Sequence, residues 1–332
     1  MDDSSFVRKA LLRIFGSDSA FEVVGTAGSG REALEKIAVL KPDVVTLDIV
    51  MPGMDGLETL TEMMEKHPTP VLMLSQLTRQ GAELTLRALE LGAMDFVDKS
   101  SAGIMDFFEL AAEIKAKARS IAGGRPLGIR AETGILPSAA GRGLVDVVAI
   151  GASTGGPVAL QMILPRFPRG AGFSILVVQH MPRGFTGPLA RRFDTLCGIP
   201  VREAQENDPL TPGEVLIAPA GLHMAVRRTT DGRFGISLSA EPQGEIHMPS
   251  IDVLFASVAR NFGPRSVGVI LTGMGSDGSR GLKLIREAGG LTLAQDEGTS
   301  AIFGMPRIAL ESGAVDKLLP LGSIAEEILK NA

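Results

Sequence analysis

Ser153, His180 and Asp277 are a hydroxyl, an imidazole and a carboxylate, each at or shortly after the end of an apolar run. Together they are the inventory for acyl transfer. The serine attacks a carbonyl carbon, the histidine takes and returns the proton, and the aspartate fixes the imidazole tautomer and supports its charge. Taken singly, each has a plainer reading: a glycine-rich turn that binds phosphate or simply packs, a structural histidine, and a turn aspartate. His223 and His247 are rivals for the base, but one lies beside an expected hairpin and the other just before an expected helix. His67, near a helix C-terminus, reads as a surface cation. A second set lies in the first half: Asp2, Asp3 and Asp48, with Ser75 and Lys99. Two acids can hold Mg²⁺, a third can accept a phosphoryl group, and a hydroxyl with an ammonium can engage its oxygens. As isolated residues, all five are ordinary loop polar groups.

The elements that must position these groups are legible as periods. Residues 145–150 are nearly all apolar and β-branched, as in a strand covered on both faces. The G-A-S-T-G-G-P run at 151–157 then makes a sharp corner, with Ser153 at its apex and Pro157 suited to a first helical turn. This is the G-x-S-x-G pattern of a nucleophile elbow. Further strands are expected at 173–180, ending on His180, at 215–219, at 266–271 ahead of the Asp277 corner, and at 291–295, which closes the sheet. Residues 223–226 and 234–238 form a hairpin turned at Asp231-Gly232, and helices fall at 158–164 and 251–259. The Ser, His, Asp chain order differs from the Ser, Asp/Glu, His order of α/β-hydrolases, which disfavours that fold.

In the first half a helix at 6–15, capped by Ser4 or Ser5, precedes an alternation of strands (22–27, 43–49, 70–75, 93–99) and helices (31–40, 57–66, 82–91, 104–122). Such alternation means a parallel sheet flanked by helices, with chemistry at the carboxyl ends of the strands. Between the halves, residues 122–143 are rich in Gly, Pro and small side chains and read as a linker. The expected domains are therefore 1–121 and 144–332.

Composition narrows the field. The chain has 332 residues, 45% hydrophobic and 21% charged, with a net charge of −5. That suits two globular domains and argues against a general affinity for nucleic acid. No apolar run approaches the roughly 18 residues of a membrane span, so a cytoplasmic chain with no membrane insertion is expected. The single cysteine, Cys197, excludes an internal disulfide and disfavours a thiolate metal site. Tyr and Trp are absent. A DNA-binding output would need a helix-turn-helix or a basic face after the linker. A dinucleotide site would need the G-x-G-x-x-G spacing. Neither is present.

With D-D-S at 2–4, L-D-I-V-M-P-G-M-D-G at 47–56, L-E-L-G-A-M-D-F at 89–96 and D-K at 98–99, the first half resembles the receiver domain of two-component response regulators. The resemblance implies Asp48 as phosphoacceptor, Asp2, Asp3 and Asp48 as Mg²⁺ ligands, and Ser75 with Lys99 as the phosphate-sensing pair. In that family the acidic pair ends a first strand in the middle of a five-stranded sheet. Here only Met1 precedes Asp2, so a flavodoxin-like domain lacking its first strand is expected, from a natural chain that starts upstream. Val50 and Ser100 also depart from the family pattern.

The second half carries G-A-S-T-G-G-P, V-Q-H-M-P at 178–182, P-A-G-L-H-M at 219–224, H-M-P-S-I-D-V-L-F at 247–255, L-T-G-M-G-S-D-G at 271–278 and Q-D-E at 295–297. It is similar to the catalytic domain of the chemotaxis protein-glutamate methylesterases (the CheB family), a doubly wound, mostly parallel α/β domain. The resemblance implies hydrolysis of glutamate γ-methyl esters, and deamidation of glutamines, on methyl-accepting chemotaxis receptors. Ser153, His180 and Asp277 fall on the triad, and Met274, Gly275 and Thr154 fall where the oxyanion is stabilised. The hydrolysis needs no cofactor. The receiver is expected to cover the active-site mouth until a chemotaxis histidine kinase phosphorylates Asp48, in a protein working as a monomer. Met248 stands where relatives carry a basic residue.

Overall fold

A computed structural model describes residues 1–76, 78–99, 110–122, 124, 136 and 145–332. The chain divides into two compact units, Met1–Ile129 and Arg130–Ala332. Most of the expected linker, and Ser100, lie outside the described residues.

In the first unit, α1 (Ser5–Gly16) begins at Ser4, whose hydroxyl accepts the Val7 N–H, and α2 spans Gly30–Leu40. Then β1 (Val45–Asp48), α3 (Gly56–Lys66), β2 (Val71–Ser75), α4 (Arg79–Glu90), β3 (Asp95–Asp98) and α5 (Ala111–Ile121) alternate as their periods dictate. The three strands pair in parallel in the order β1-β2-β3. Leu47, Leu72, Met73, Leu74 and Val97 are fully buried along them. The expected strand at 22–27 is a correction: the segment joins no ladder, and Val23 and Val24 stay exposed. Its apolar residues suit a strand, but among the described residues no strand pairs with it. Near its end it is engaged: the Asp2 N–H donates to Ala27 O and Lys36 Nζ to Thr26 O, while the Asp48 N–H donates to Met1 O. Between this segment and β1 lies a cavity of 320 Å³ lined by Met1, Leu11, Val24, Ile37 and Val45 among others.

The second unit opens with β4 (Val147–Ala152), buried at every position, and α6 (Gly156–Ile163). There follow β5 (Ser174–Gln179), α7 (Thr186–Leu196), β6 (Val201–Glu203), β7 (Val215–Ile217), the β8–β9 hairpin (His223–Arg228, Phe234–Ser239) and α8 (Ile251–Phe262). The chain continues through β10 (Ser266–Ile270), α9 (Ser279–Glu287), β11 (Leu291–Gln295), α10 (Met305–Glu311), β12 (Lys317–Leu319) and α11 (Leu321–Asn331). Seven strands form one parallel sheet in the order β12-β11-β10-β4-β5-β7-β6. The expectation that β11 closes the sheet is corrected: β12 pairs outside it. At three residues, two of them exposed, β12 is too short and too wet to show a period. Leu254, Phe255 and Val258 of α8 bury one face of the sheet. Among the described residues no helix is long and apolar enough to cross a membrane.

The order fixes where chemistry can gather. The chain leaves β4 to build β5 and β7 on one side, and later fills the other side with β10. Crevices form at the carboxyl ends of strands where the winding reverses, here between β4 and β10.

Candidate functional site

Three neighbouring strand ends deliver the expected trio. In the ladders, Ala152 pairs with Gln179 and Gly151 pairs with both Val178 and Ile270. Ser153 and His180 therefore leave adjacent strands at the same level, and the His180 N–H donates to Ala152 O at 3.0 Å. The Ser153 N–H donates to Thr272 O at 3.1 Å, which ties the nucleophile corner to the end of β10. Gly155 turns this corner at φ +77°, a conformation that disfavours a side chain. Gly273 lies so close that a Cβ there would sit 2.7 Å from the Ser153 Cβ and 2.4 Å from the Met305 sulfur.

The His180 ring is bonded to Asp277, Nε2 to Oδ2 at 2.8 Å, with the two side chains only 8% and 10% exposed. A carboxylate partner requires the proton on Nε2, so the lone pair of the neutral ring is on Nδ1. Among the described residues Nδ1 is buried and has no partner. The Asp277 carboxylate is satisfied from every side: Oδ1 accepts Ser250 Oγ (2.9 Å) and the Asp252 N–H (3.0 Å), and Oδ2 also accepts the Ile251 N–H (2.8 Å). Ser250 caps α8, so the carboxylate sits on the unpaired N–H groups and positive end of that helix. Burial opposes its ionisation. The His180 hydrogen bond and charge, with the two amides, outweigh that effect and hold the carboxyl down at about 2.

The corner after β10 supplies donors. Among the described residues the N–H groups of Met274 and Gly275 donate to no acceptor, and both residues are exposed. Two free N–H groups beside a serine can receive developing negative charge. Thr154 is buried, and its carbonyl accepts Thr272 Oγ1 at 3.0 Å.

The rival histidines are placed too. His223 is buried and accepts the Ser250 N–H on Nδ1 at 3.0 Å, one step behind Asp277. His247 stacks on His180, ring centroids 4.0 Å apart and planes 24° apart. His67 is exposed at the end of α3. Met248 gives its carbonyl to the Gly221 N–H, a contact made by the backbone rather than the side chain. Cys197 is no nucleophile: burial, with Asp194 nearby, pushes its thiol up to about 12.

Residue-type reasoning missed two groups. Gln179 donates through Nε2 to both Ser153 O (2.9 Å) and His180 O (3.0 Å), clamping the two strand ends together. Ser250 orients the carboxylate. The signal for Gln179 was a buried amide inside a strand, and for Ser250 a cap whose helix begins near the Asp277 corner only in three dimensions.

In the first unit, Asp2, Asp3 and Asp48 bring carboxylate oxygens within 4.8 Å of one another. This is a hard, all-oxygen donor set of the kind Mg²⁺ takes. Lys99 Nζ lies 2.6 Å from Asp48 and 3.2 Å from Asp2. Burial raises the Asp48 pKa and Asp2 adds to it, against the pull of Lys99. Ser75 stands beside Lys99, whose N–H donates to Ser75 O. Its hydroxyl, however, faces Thr85 Oγ1 at 2.5 Å and not the acid cluster. Val50, after the cluster, is 68% exposed.

Both units are similar to known proteins. The CheB methylesterase model matches residues 148–328 and the response regulator receiver domain model matches residues 1–106. A protein-glutamate methylesterase/protein-glutamine glutaminase of Symbiobacterium thermophilum is 46% identical over 99% of this chain and 95% of its own. One of Archaeoglobus fulgidus is 45% identical over 99% of this chain and 96% of its own. The solved CheB methylesterase catalytic domain of Thermotoga maritima aligns with TM-score 0.55 at 36% identity, over 57% of this chain and 99% of that one.

Proposed function

Because the chain belongs to the CheB methylesterase family and carries a receiver domain ahead of the esterase, we propose that it hydrolyses glutamate γ-methyl esters, and deamidates glutamines, on methyl-accepting chemotaxis receptors in the cytoplasm. Ser153 is the nucleophile, His180 the general base and acid, and Asp277 the carboxylate that holds the base. One observation carries the reading: His180 is bonded to a carboxylate held by three other donors, at the level where Ser153 leaves the neighbouring strand.

Ser153 Oγ adds to the γ-carbonyl carbon as His180 Nδ1 takes its proton. The negative oxygen is received by the Met274 and Gly275 N–H groups, with Thr154 supporting the corner. Collapse expels methanol, or ammonia from a glutamine, with the proton returned by His180. Water, activated by the same imidazole, then frees the glutamate carboxylate. A positioned base contributes about 10²–10⁴-fold, so this chain's own side chains suffice for an ester. Asp277 stays ionised throughout, because a carboxyl held at about 2 does not take the proton from the imidazolium.

Asp48 is the phosphoacceptor in the receiver and a chemotaxis histidine kinase the donor. Asp2, Asp3 and Asp48 would hold Mg²⁺, which when bound neutralises charge on the transferred phosphoryl group. Lys99 and Ser75 read the phosphate. For Ser75 this requires its hydroxyl to leave Thr85. Phosphorylation raises esterase output.

Ser153→Ala tests the assignment. Methanol release from methylated receptor membranes, and covalent labelling by a fluorophosphonate, should both vanish while phosphorylation of Asp48 persists. Retained turnover would exclude a serine nucleophile.

A further inference from the structure

The corner that offers the Met274 and Gly275 N–H groups is held by a strap of chain that the reaction itself does not use. After β11, residues 295–305 lie beside the end of β10. Gln295 Oε1 accepts the Thr272 N–H at 2.8 Å, Ile302 O accepts the Gly273 N–H at 3.1 Å, and the Met305 N–H donates to Gly273 O at 2.8 Å. The turn inside the strap is fixed in its own right: Asp296 Oδ1 accepts the Thr299 N–H and hydroxyl, and Gln295 Nε2 donates to Thr299 O. The peptide joining Thr272 to Gly273 is thus bonded at both ends, its carbonyl to the Ser153 N–H and its N–H to Ile302 O. The next peptide is bonded at one end only. Gly273 O takes Met305, and among the described residues the Met274 N–H donates to no acceptor. A trans peptide is planar, with its C=O and N–H pointing in opposite directions. Holding Gly273 O therefore aims the Met274 N–H away from the strap.

We propose that Gly304 is a positioning residue for the oxyanion donor. Only a residue without a side chain lets the Met305 N–H close on Gly273 O. A Cβ at 304 would stand 2.6 Å from Gly273 O, 3.2 Å from Met274 Cα and 3.4 Å from Gly275 N. The backbone of Gly304, at φ −100° and ψ −70°, is on the negative-φ side open to ordinary residues, so it is the close approach that demands a glycine. The atom met is a backbone oxygen. Relief comes by moving that carbonyl, and turning its peptide carries the Met274 N–H with it. A donor aimed in advance stabilises developing charge without reorganisation, and a turned one does not. The triad carboxylate is held separately, by Ser250 and the first amides of α8.

This inference rests on the reading of the triad and its oxyanion donors above, and the experiment separates the two. Full-length parent protein and Gly304→Ala are compared by kcat and KM for methanol release and by the rate at which a fluorophosphonate labels Ser153. The parent should label. Gly304→Ala should lose about 10²-fold in kcat and in labelling rate, the scale of one oxyanion donor, with KM unchanged. Both proteins are then given a second substitution, Ser153→Cys, and treated with iodoacetamide, which the thiolate attacks at a saturated carbon with loss of iodide. That reaction needs the nucleophile and His180 but no oxyanion donor, so Gly304→Ala should leave its rate within about threefold. A parent that does not label refutes the triad. With a labelling parent, the inference is overturned by Gly304→Ala at parental kcat, by a loss confined to KM, or by alkylation slowed as much as turnover. Should the Ala variant fail to fold, an ester in place of the 304–305 amide, introduced by nonsense suppression with the hydroxy analogue of methionine, removes the Met305 N–H without adding an atom to the contact. Lower kcat at unchanged KM then supports the inference, and parental kcat overturns it.

Discussion

Replacing Asp277 by asparagine tests the site at its most constrained atom. The amide can keep its oxygen at the Oδ1 position, accepting Ser250 Oγ and the Asp252 N–H. Its NH₂ then faces the Ile251 N–H and His180 Nε2, the two donors that now meet Oδ2. Donor against donor at Ile251 leaves a buried N–H unpaired, at a cost of about 1–3 kcal/mol. At His180 the ring escapes the clash by moving its proton to Nδ1, which removes the lone pair that would accept the serine proton. Loss of tautomer control of this kind lowers kcat by about 10⁴ in serine hydrolases. The same substitution deletes a titration. A carboxyl lowered from 3.8 to about 2 contributes about 2 kcal/mol of stability at 1.36 kcal/mol per unit. Because the folded value is the lower one, that contribution is full above pH 4, roughly halved at pH 3, and lost as pH falls through about 2. Methanol release at pH 7 and thermal melts of parent and variant at pH 7 and 3 read both effects. Activity within tenfold of the parent, or a melting gap that widens on acidification, would refute the reasoning.

Asp48→Asn should leave basal methanol release unchanged and abolish its stimulation by a small phosphodonor; equal stimulation of variant and parent contradicts regulation through that carboxylate. Gly273→Ala forces a methyl group to within 2.7 Å of the Ser153 Cβ unless the backbone yields, and a displaced nucleophile should cost about 10–100-fold in fluorophosphonate labelling rate. Gln179→Met keeps the length of the side chain but removes both donors to Ser153 O and His180 O. It should lower stability by about 1–3 kcal/mol in a denaturant titration and lower kcat with KM unchanged.

Much of this arrangement is written in runs of residue type. The strand ending on His180 and the one before Ser153 are uninterrupted apolar segments, because both faces of a central parallel strand are covered. The Asp48 strand and its flanking helices follow from periods of the same kind. What stayed hidden depends on pairing. Residues 22–27 have the composition of a strand, yet a strand exists only where a neighbour completes its hydrogen bonds, and among the described residues none does there. β12 failed for the opposite reason: its three residues carry no period, but the exposed edge of β11 recruits them. The roles of Gln179 and Ser250 are equally invisible, since each acts on groups brought near only by the register of the sheet.

The electrostatics of the catalytic unit follow from that register. Asp277 would be an expensive charge to bury, and a reading by side chains alone finds no cation near it except the histidine it serves. Behind the hydrogen bond and charge of His180, further compensation comes from backbone: the first N–H groups of α8, exposed by the helix start at Ser250. The amides stay in place whatever the state of the base, and they add to what His180 itself does to keep the carboxylate ionised. The imidazolium that forms during acyl transfer meets a fixed negative charge and needs no reorganisation to be stabilised. The feature that supports the triad carboxylate is thus the contact of one helix start with one turn. This is why substitutions at Ser250, which bonds the carboxylate, should lower kcat for methanol release and leave KM unchanged.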